Sequence, residues 1–487
     1  MSGGRGKKAA SSILFKLMES VLTQGVSFVV SIVLARLLDP SDYGVLTMLT
    51  VFIAVSQVFV QSGLSTALIQ RKDVDERDLS SAFWVNLSVA GFFYLLLFAL
   101  APAIGAFFDM PQLAPVLRVL ALVLLPGALL SVQNAVVARR MAFRTLMLLS
   151  LLSTVLSGAV GVAMAYMGLG YWALVGQRLT AQVALSALLL WRVRWRPRRV
   201  FSRERVGGLI GFGWKLLAAS LLDTGFANLR SAVIGKKFDA TSLGLYDRGR
   251  QFPELVMNAV NGSIQGVMLP VLAEEQDAPA RMKELMRRSI MVSGLMVLPL
   301  MAGLAAVAEP LVGLLLGEKW LACVPFLQIL CLDYAFYPIH TANLQALNAM
   351  GRSDVFLKLE LVKKGYGLII LVITVLCFDS VMAIAWGGVV GTLLSSFVNA
   401  WPNRRLLGYG YLEQMRDILP PIALSAVMFG AVRLLAGLPL EGIGLLAAQV
   451  ALGVAVYLGL AFAFRLKSLR YLLELLAGLR RGHTHAS

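Results

Sequence analysis

Six polar residues that could bind a charged or hydroxylated molecule recur at helical spacing between Gly244 and Pro270. The steps are 4, 3, 4, 3 and 4 residues through Asp247, Gln251, Glu254, Asn258, Asn261 and Gln265. At about 100° per residue, all six lie within roughly 80° of one another on a helix. The other positions of this helix are mostly apolar. Such a pattern is typical of a helix that faces lipid or neighbouring helices on most sides and a hydrated cavity on one side.

Arginine and lysine accompany this polar face. Each ionisable group at mid-bilayer costs at least a few kcal/mol, so it needs a partner or a cavity. Arginine binds phosphate groups bidentately, so one hypothesis is a cation-lined cavity for an anionic headgroup such as a pyrophosphate. The candidate substrate-binding residues are Arg36, Lys215, Arg230, Arg248, Arg250, Asn258 and Asn261.

A structural alternative stays open for the same charges. Asp247 and Glu254 could neutralise Arg250 and Arg248, and Asp223 and Arg230 could pair with neighbouring helices. Any of four carboxylates could instead bind a coupling proton or sodium ion, although no motif selects among Asp223, Asp247, Glu254 and Asp333.

The composition predicts a polytopic membrane protein. Of 487 residues, 58% are hydrophobic and 15% are charged, whereas soluble domains are about 45–50% apolar and about 25% charged. The mean hydropathy is +0.77. Apolar runs longer than 20 residues favour membrane-spanning helices over strands of about ten residues. The expected fold is therefore all-α.

The residues that could support other chemistry are few. The three cysteines show no CxxC spacing and are expected to be small core residues, and two of the three histidines lie in the C-terminal tail. No metal site, cofactor or catalytic motif is therefore expected, and the protein is predicted not to be an enzyme. The net charge of +17 is attributed to cytoplasmic loops and not to nucleic-acid binding.

Fourteen hydrophobic segments are predicted. The basic loops alternate with them so that thirty lysine and arginine residues fall on one side of the membrane and four on the other. The positive-inside rule then places both termini in the cytoplasm. The predicted regions are a six-helix lobe at 1–191, a basic linker at 192–208, a second six-helix lobe at 209–405, two further membrane helices at 406–465 and an amphipathic tail at 466–487.

The two lobes are predicted to be parallel repeats. Residues 34–46, LARLLDPSDYGVL, align with residues 234–246, IGKKFDATSLGLY, at a shift of 200. Residues 117–127 align with 327–337 at a shift of 210. Because six segments separate the copies, both cross the membrane in the same direction.

These motifs resemble those of a known transporter family. The sequence LARLLDPSDYGVLTM after the first segment, the basic mid-chain loop and SLGLYDRGRQFPEL resemble the polysaccharide transporters, or Wzx-like flippases, of the multidrug/oligosaccharidyl-lipid/polysaccharide (MOP) exporter superfamily. The likeness covers about residues 12–400, and the LYDR and FPEL segments resemble the colanic-acid and exopolysaccharide branch.

The resemblance implies a MATE-like fold of two six-helix bundles and transport by alternating access. The implied substrate is an undecaprenyl-pyrophosphate-linked oligosaccharide that crosses a bacterial inner membrane, with a proton or sodium ion as a candidate coupling partner and a monomer as the expected state. The alternatives are a drug or cation antiporter, a lipid II flippase, and a membrane-embedded glycan-processing enzyme.

Overall fold

The computed structural model describes residues 2–61, 64–71, 74–193, 195–437 and 442–472. Side chains are described for these residues except at 2–17, 21, 66, 67, 70, 205, 208–213, 215, 263–267 and 270. In the described part of the chain the regular structure is entirely helical, which confirms the all-α prediction.

The helices follow the predicted hydrophobic segments. Among the described residues they are α1 (Ser2–Leu37), α2 (Pro40–Gln61), α3 (Leu64–Gln70), α4 (Glu76–Phe107), α5 (Leu113–Leu120), α6 (Leu124–Arg139), α7 (Phe143–Tyr166), α8 (Tyr171–Val193), α9 (Arg203–Lys237), α10 (Ala240–Glu274), α11 (Pro279–Ala306), α12 (Ala308–Leu315), α13 (Val324–Ala335), α14 (Tyr337–Ala349), α15 (Ser353–Cys377), α16 (Val381–Leu406), α17 (Tyr411–Leu435) and α18 (Gly442–Ala463). Short 3-10 turns join α5 to α6 and precede α13.

Eleven helical spans in the described residues are long and apolar enough to cross a membrane. Three more helices have membrane length, namely α9 and α10 with 35 residues each and α15 with 25 residues. Each of these three carries several ionisable residues, which lowers its hydropathy. The chain is thus a multi-pass membrane protein, while the count of fourteen crossing helices stays a prediction.

Packing divides the chain into an N-terminal unit, Met1–Gly244, and a C-terminal unit, Leu245–Ser487. In the C-terminal unit, α17 and α18 pack on α11 and α12 around a core that contains Met428 and Tyr457. The Tyr457 hydroxyl donates to the Leu295 carbonyl at 2.9 Å. The predicted tail is helical at 467–472 and Leu469 joins this core, whereas residues 473–487 lie outside the described residues. The predicted lobe boundaries stay a prediction.

Two turns in the N-terminal unit occupy matching positions at a spacing of 200 residues. The first lies between Leu37 and Pro40, and the second lies between Lys237 and Ala240. Each contains an aspartate, but the hydrogen bonds differ. The Asp39 amide donates to Asp42 Oδ2 at 3.0 Å, whereas Asp239 Oδ1 accepts from the Ser242 amide at 2.6 Å. Both aligned sequences therefore form a short turn between two long helices, and the repeat of six whole helices stays a prediction.

The same two turns pack against each other through a reciprocal pair of glycines. A Cβ on Gly44 would lie 1.7 Å from the Ala240 carbonyl oxygen, and a Cβ on Gly244 would lie 1.9 Å from the Pro40 carbonyl oxygen. Both distances are far below any normal contact, so only glycine allows the backbones to approach this closely. Gly44 corresponds to Gly244 and Pro40 to Ala240 at the shift of 200, so the contact is nearly two-fold symmetric.

Candidate functional site

The polar face of α10 provides the core of the candidate site. We use the name polar strip for its described members Asp247, Gln251, Glu254, Asn258 and Asn261. Asn258 is exposed and the other four are half-buried. The helix is continuous from Ala240 to Glu274, so the predicted helical spacing is confirmed. The side chain of Gln265, the sixth predicted member, lies outside the described residues.

A close helix crossing fixes the first turns of α10. A Cβ on Gly249 would lie 2.8 Å from the Phe326 Cβ, 2.9 Å from the Leu327 nitrogen and 3.0 Å from the Cys323 carbonyl oxygen. Two of these atoms belong to the backbone of the segment that opens α13, so they cannot move without the helix. Glycine therefore sets the position of the neighbouring residues Arg248 and Arg250 relative to α13.

Arg250 is held between two carboxylates of its own helix. Its Nη2 donates to Asp247 Oδ1 at 2.9 Å, and its Nε lies 3.5 Å from Glu254 Oε2. The side chain of Arg250 is 34% exposed, that of Asp247 is 31% exposed and that of Glu254 is 41% exposed. Ion pairs of this spacing and exposure stabilise a helix by only a few tenths of a kcal/mol. The charge of Arg250 is thus neutralised by contacts that are weak enough to exchange.

Arg248 has a different environment. Only 4% of it is exposed. Its guanidinium donates to the Gln251 side-chain oxygen and lies 5.1 Å from the centre of the buried Trp320 ring. A cation over an aromatic face is stabilised by about 0.5–2 kcal/mol. Arg248 therefore holds α10 against the turn before α13.

The polar strip continues onto α13 and α14. At the charged end, the Tyr246 ring of α10 meets the Phe326 ring of α13 edge-on at 5.9 Å between centroids. Farther along, the Thr341 hydroxyl donates to Asn261 Oδ1 at 2.6 Å. These two contacts join α10 to α13 and α14 within the C-terminal unit.

A buried group of polar side chains extends from α14 to α16. The Asn399 amide lies 3.0 Å from His340 Nδ1, and the Ser396 hydroxyl lies 3.4 Å from His340 Nε2. With the amide donating to Nδ1, a neutral ring carries its proton on Nε2. Nearby, the Thr392 hydroxyl donates to the buried Asp333 carboxylate at 2.5 Å. This group contains two titratable side chains, of which Asp333 is buried and His340 is half-buried.

Stacked aromatic rings lie beside the histidine. The Tyr334 and Tyr337 rings are stacked at 4.9 Å between centroids, and Tyr337 meets the His340 ring edge-on at 5.9 Å. A tyrosine ring offers a flat apolar face and a hydroxyl group. Such a side chain can pack on another aromatic ring, as here, or on the apolar face of a sugar ring.

The other predicted site residues lie outside this group. Arg36 is exposed in the last turn of α1, Asp223 is exposed on α9, and Arg230 is half-buried on α9. The side chain of Lys215 lies outside the described residues. Arg36, Asp223 and Arg230 belong to the N-terminal unit, whereas the predicted residues of α10 and α13 belong to the C-terminal unit.

Sequence reasoning missed the contribution of α16. Thr392, Ser396, Asn399 and Asn403 recur at steps of 4, 3 and 4 residues, which is the same signal that identified the strip on α10. Trp320 was also missed, because nothing in the sequence pairs an aromatic residue with an arginine 72 positions earlier.

A comparison with protein families settles the kind of protein. The pattern of the family described as "Polysaccharide biosynthesis protein" matches residues 33–325, which is more than half of the chain. The chain belongs to the polysaccharide biosynthesis protein family. This confirms the resemblance to the polysaccharide transporters that the sequence motifs indicate.

Relatives from several bacteria match most of this chain. It is 26% identical over 422 residues to the succinoglycan biosynthesis transport protein ExoT of Rhizobium meliloti, covering 85% of this chain and 82% of the relative. It is 26% identical over 429 residues to the lipopolysaccharide biosynthesis protein WzxC of Escherichia coli, covering 86% of each. The teichuronic acid biosynthesis protein TuaB of Bacillus subtilis is 25% identical, covering 77% of each chain.

Solved structures establish the fold of this family member. The lipid II flippase MurJ in an inward-closed conformation superposes with a TM-score of 0.77 and 13% identity, over 93% of this chain and 99% of MurJ. An inward-facing MATE multidrug transporter of the MOP superfamily gives 0.60 and 13%, over 83% and 98%. At such low sequence identity the likeness supports the fold alone. The superpositions confirm the predicted MATE-like architecture.

Proposed function

We propose that this protein is a flippase that moves a polyprenyl-pyrophosphate-linked oligosaccharide across a bacterial inner membrane. Its family, its relatives in polysaccharide biosynthesis and transport, and its MurJ-like fold support this proposal. The observation that carries it is Arg250, a cation on a helix of membrane length that is held by two exchangeable carboxylates.

The substrate pyrophosphate would bind Arg250 by replacing its intramolecular partners. The Glu254 contact, at 3.5 Å, is longer than the Asp247 contact, at 2.9 Å, so Glu254 is the first partner to be displaced. A phosphate group then forms the paired hydrogen bonds that guanidinium groups favour. Because Asp247 and Glu254 keep Arg250 neutralised between transport cycles, the empty strip avoids an unpaired charge.

The glycan would lie along the rest of the strip. Asn258 is exposed, and Asn261 is half-buried beside Thr341, so amide and hydroxyl groups are available beyond the charged turn. The stacked rings of Tyr334 and Tyr337 add flat apolar surface. Substrate-binding roles for Arg36, Lys215, Arg230 and Arg248 stay predictions, and the pairing of Arg248 with Gln251 and Trp320 favours a structural role for it.

We assign the coupling ion to Asp333 in preference to Asp223, Asp247 and Glu254. Asp333 is 8% exposed, and Thr392 donates to it. A carboxylate that is shielded from water is stabilised by binding a proton or a sodium ion. We further propose that both termini are cytoplasmic and that the chain is a monomeric transporter with no catalytic role.

The proposal is tested in the source bacterium by deletion and complementation. Deletion of the gene is expected to remove surface polysaccharide and to raise the cellular pool of its lipid-linked precursor. Arg250→Ala is expected to lower surface polysaccharide at least tenfold. Arg352→Ala is the matched control, because Arg352 also pairs with a carboxylate, Asp354 at 3.1 Å, but lies outside the strip.

The proposal fails if deletion leaves both surface polysaccharide and precursor pool unchanged. It also fails in its choice of site if the Arg250 and Arg352 variants export equally at equal protein level. Deletion that alters only the efflux of organic cations would favour the drug antiporter.

A further inference from the structure

A groove on the N-terminal unit has features that the proposed transport does not use. Two adjoining cavities of about 520 and 410 Å³ share the α4 residues Val85, Ser88 and Val89. We call the joined cavities the α4 groove. One end is lined by Trp84 and the linker residues 199–201. The other end lies between α4 and α9.

The linker end of the groove is cationic and firmly held. Arg199 lines the cavity between two anchored positions. The Arg198 carbonyl accepts from Trp84 Nε1 at 2.8 Å and its amide donates to Ser80 Oγ at 3.0 Å. The Ser202 amide donates to Ser81 Oγ at 3.0 Å. The loop that carries Arg199 is therefore fixed to α4 on both sides and forms part of a built cavity.

The opposite end of the groove is apolar and aromatic. Phe59, Phe92, Phe93 and Trp214 line it, and Ser88 is the polar side chain in that lining. The Phe59 and Phe93 rings stack at 4.6 Å, and Phe92 meets Phe93 edge-on at 5.4 Å. Rings held in this way form a stiff wall that suits a hydrocarbon chain.

The groove combines an exposed arginine on an anchored loop at one end with an apolar channel at the other, which matches an amphiphile with an anionic head. Its length indicates which one. From Trp84 to Phe92 the helix rises about 12 Å, close to the ~15 Å depth of one leaflet of the hydrocarbon core. This depth fits an acyl chain of a single leaflet, whereas most of a longer polyprenyl chain would extend beyond it. Basic pockets between membrane helices bind anionic headgroups elsewhere.

We propose that the α4 groove binds one anionic phospholipid, with its phosphate on Arg199 and an acyl chain along Val85, Ser88 and Val89 toward Trp214. The site is separate from the polar strip, so it does not depend on the proposed transport. The lipid would fill the cleft between α4 and α9 and stabilise their packing.

The test is native mass spectrometry of the full chain released from nanodiscs that contain equal amounts of phosphatidylglycerol and phosphatidylcholine. The wild type is expected to retain phosphatidylglycerol preferentially. Arg199→Ala should lower this preference about fivefold, since one arginine near a charged headgroup contributes about 1 kcal/mol. Ser88→Trp should remove one retained lipid because Ser88 lines both cavities, and an indole there would block the groove where they join. Val183→Trp, on an exposed face of α8 outside the groove, is the matched control.

Equal retention by the wild type and Ser88→Trp would overturn the site, and an unchanged headgroup preference in Arg199→Ala would overturn the role of Arg199. A small fraction of undecaprenyl phosphate is then added to the nanodiscs. If it replaces phosphatidylglycerol in the wild type but not in Ser88→Trp, the groove belongs to the carrier lipid and the phospholipid assignment is wrong. The Arg250 experiment tests the proposed transport with other variants and another readout, so its result does not depend on whether the groove binds a lipid.

Discussion

The reciprocal glycine contact gives the sharpest prediction. In Gly44→Ala, the new Cβ would lie 1.7 Å from the Ala240 carbonyl oxygen, whereas ordinary contacts begin at 3.4 Å. To reach an ordinary contact, the start of α2 and the first turn of α10 must move apart by about 1.7 Å. The obstructing atom is backbone, so no side chain can rotate to relieve the overlap. Overpacking of this kind costs about 1–3 kcal/mol.

The separation can be followed with a cysteine in the first turn of α10. Leu243 is fully buried, so Leu243→Cys in a chain whose native cysteines are replaced should react slowly with a maleimide. Adding Gly44→Ala should raise the labelling rate several-fold and lower the melting temperature in detergent. Because Gly44 and Gly244 belong to one contact, the double alanine variant should be less destabilised than the two single effects together.

Gly91→Ala on α4 is the control, because a Cβ there has no neighbour within 4 Å. It should leave labelling unchanged and stabilise the helix by up to about 1 kcal/mol. If Gly44→Ala labels and melts like the wild type, the two turns do not hold the contact described above.

Three further predictions concern buried polar groups in the C-terminal unit. Asn343 and Gln414 exchange two hydrogen bonds at 2.8 and 3.0 Å while fully buried, so Asn343→Leu should destabilise the protein by about 1–3 kcal/mol in thermal unfolding. Burial and the hydrogen bond to Asp417 raise the pKa of the Tyr409 phenol, so the stability from this contact is present at neutral pH and declines above about pH 10. Tyr409→Phe should thus cost about 1–3 kcal/mol at pH 7 and less at alkaline pH, measured by chemical denaturation. Asp333→Asn should keep substrate binding but abolish the dependence of transport on an ion gradient, and an unchanged gradient dependence would move the coupling site elsewhere.

Hydrophobic run length was sufficient to locate the helices, because backbone groups in lipid must be satisfied within the segment. The chain breaks between α11 and α12, about one turn before Pro310, the residue that marks an interruption in the sequence. Interruptions without such a marker, such as the 3-10 turn at Ala121–Val123, were not predicted, since an apolar sequence leaves few signals of hydrogen-bond pattern.

Burial was harder to predict than helicity. All three cysteines were expected in the core, yet Cys377 is exposed while Cys323 and Cys331 are buried. An apolar residue on a membrane helix can face lipid or protein, and composition does not distinguish the two. The expectation for Cys377 was therefore wrong for a reason that applies to every lipid-facing position.

The polar strip could be predicted because the period of its residues is a property of one helix. The partners of the adjacent Arg248 and Arg250 depend on which helices meet, and this is a property of the fold. The sequence alternatives for Arg250 therefore included Asp247 and Glu254, which lie three and four residues away, while Trp320 opposite Arg248 required the structure.

The most direct measurement is the flipping rate of a purified lipid-linked oligosaccharide in proteoliposomes, followed by its accessibility to an added glycosidase. Wild-type protein should expose the inner-leaflet pool many times faster than protein-free vesicles. Arg250→Ala should approach the protein-free rate, and Arg352→Ala should match the wild type. Wild-type proteoliposomes that are no faster than empty vesicles would contradict the proposed function.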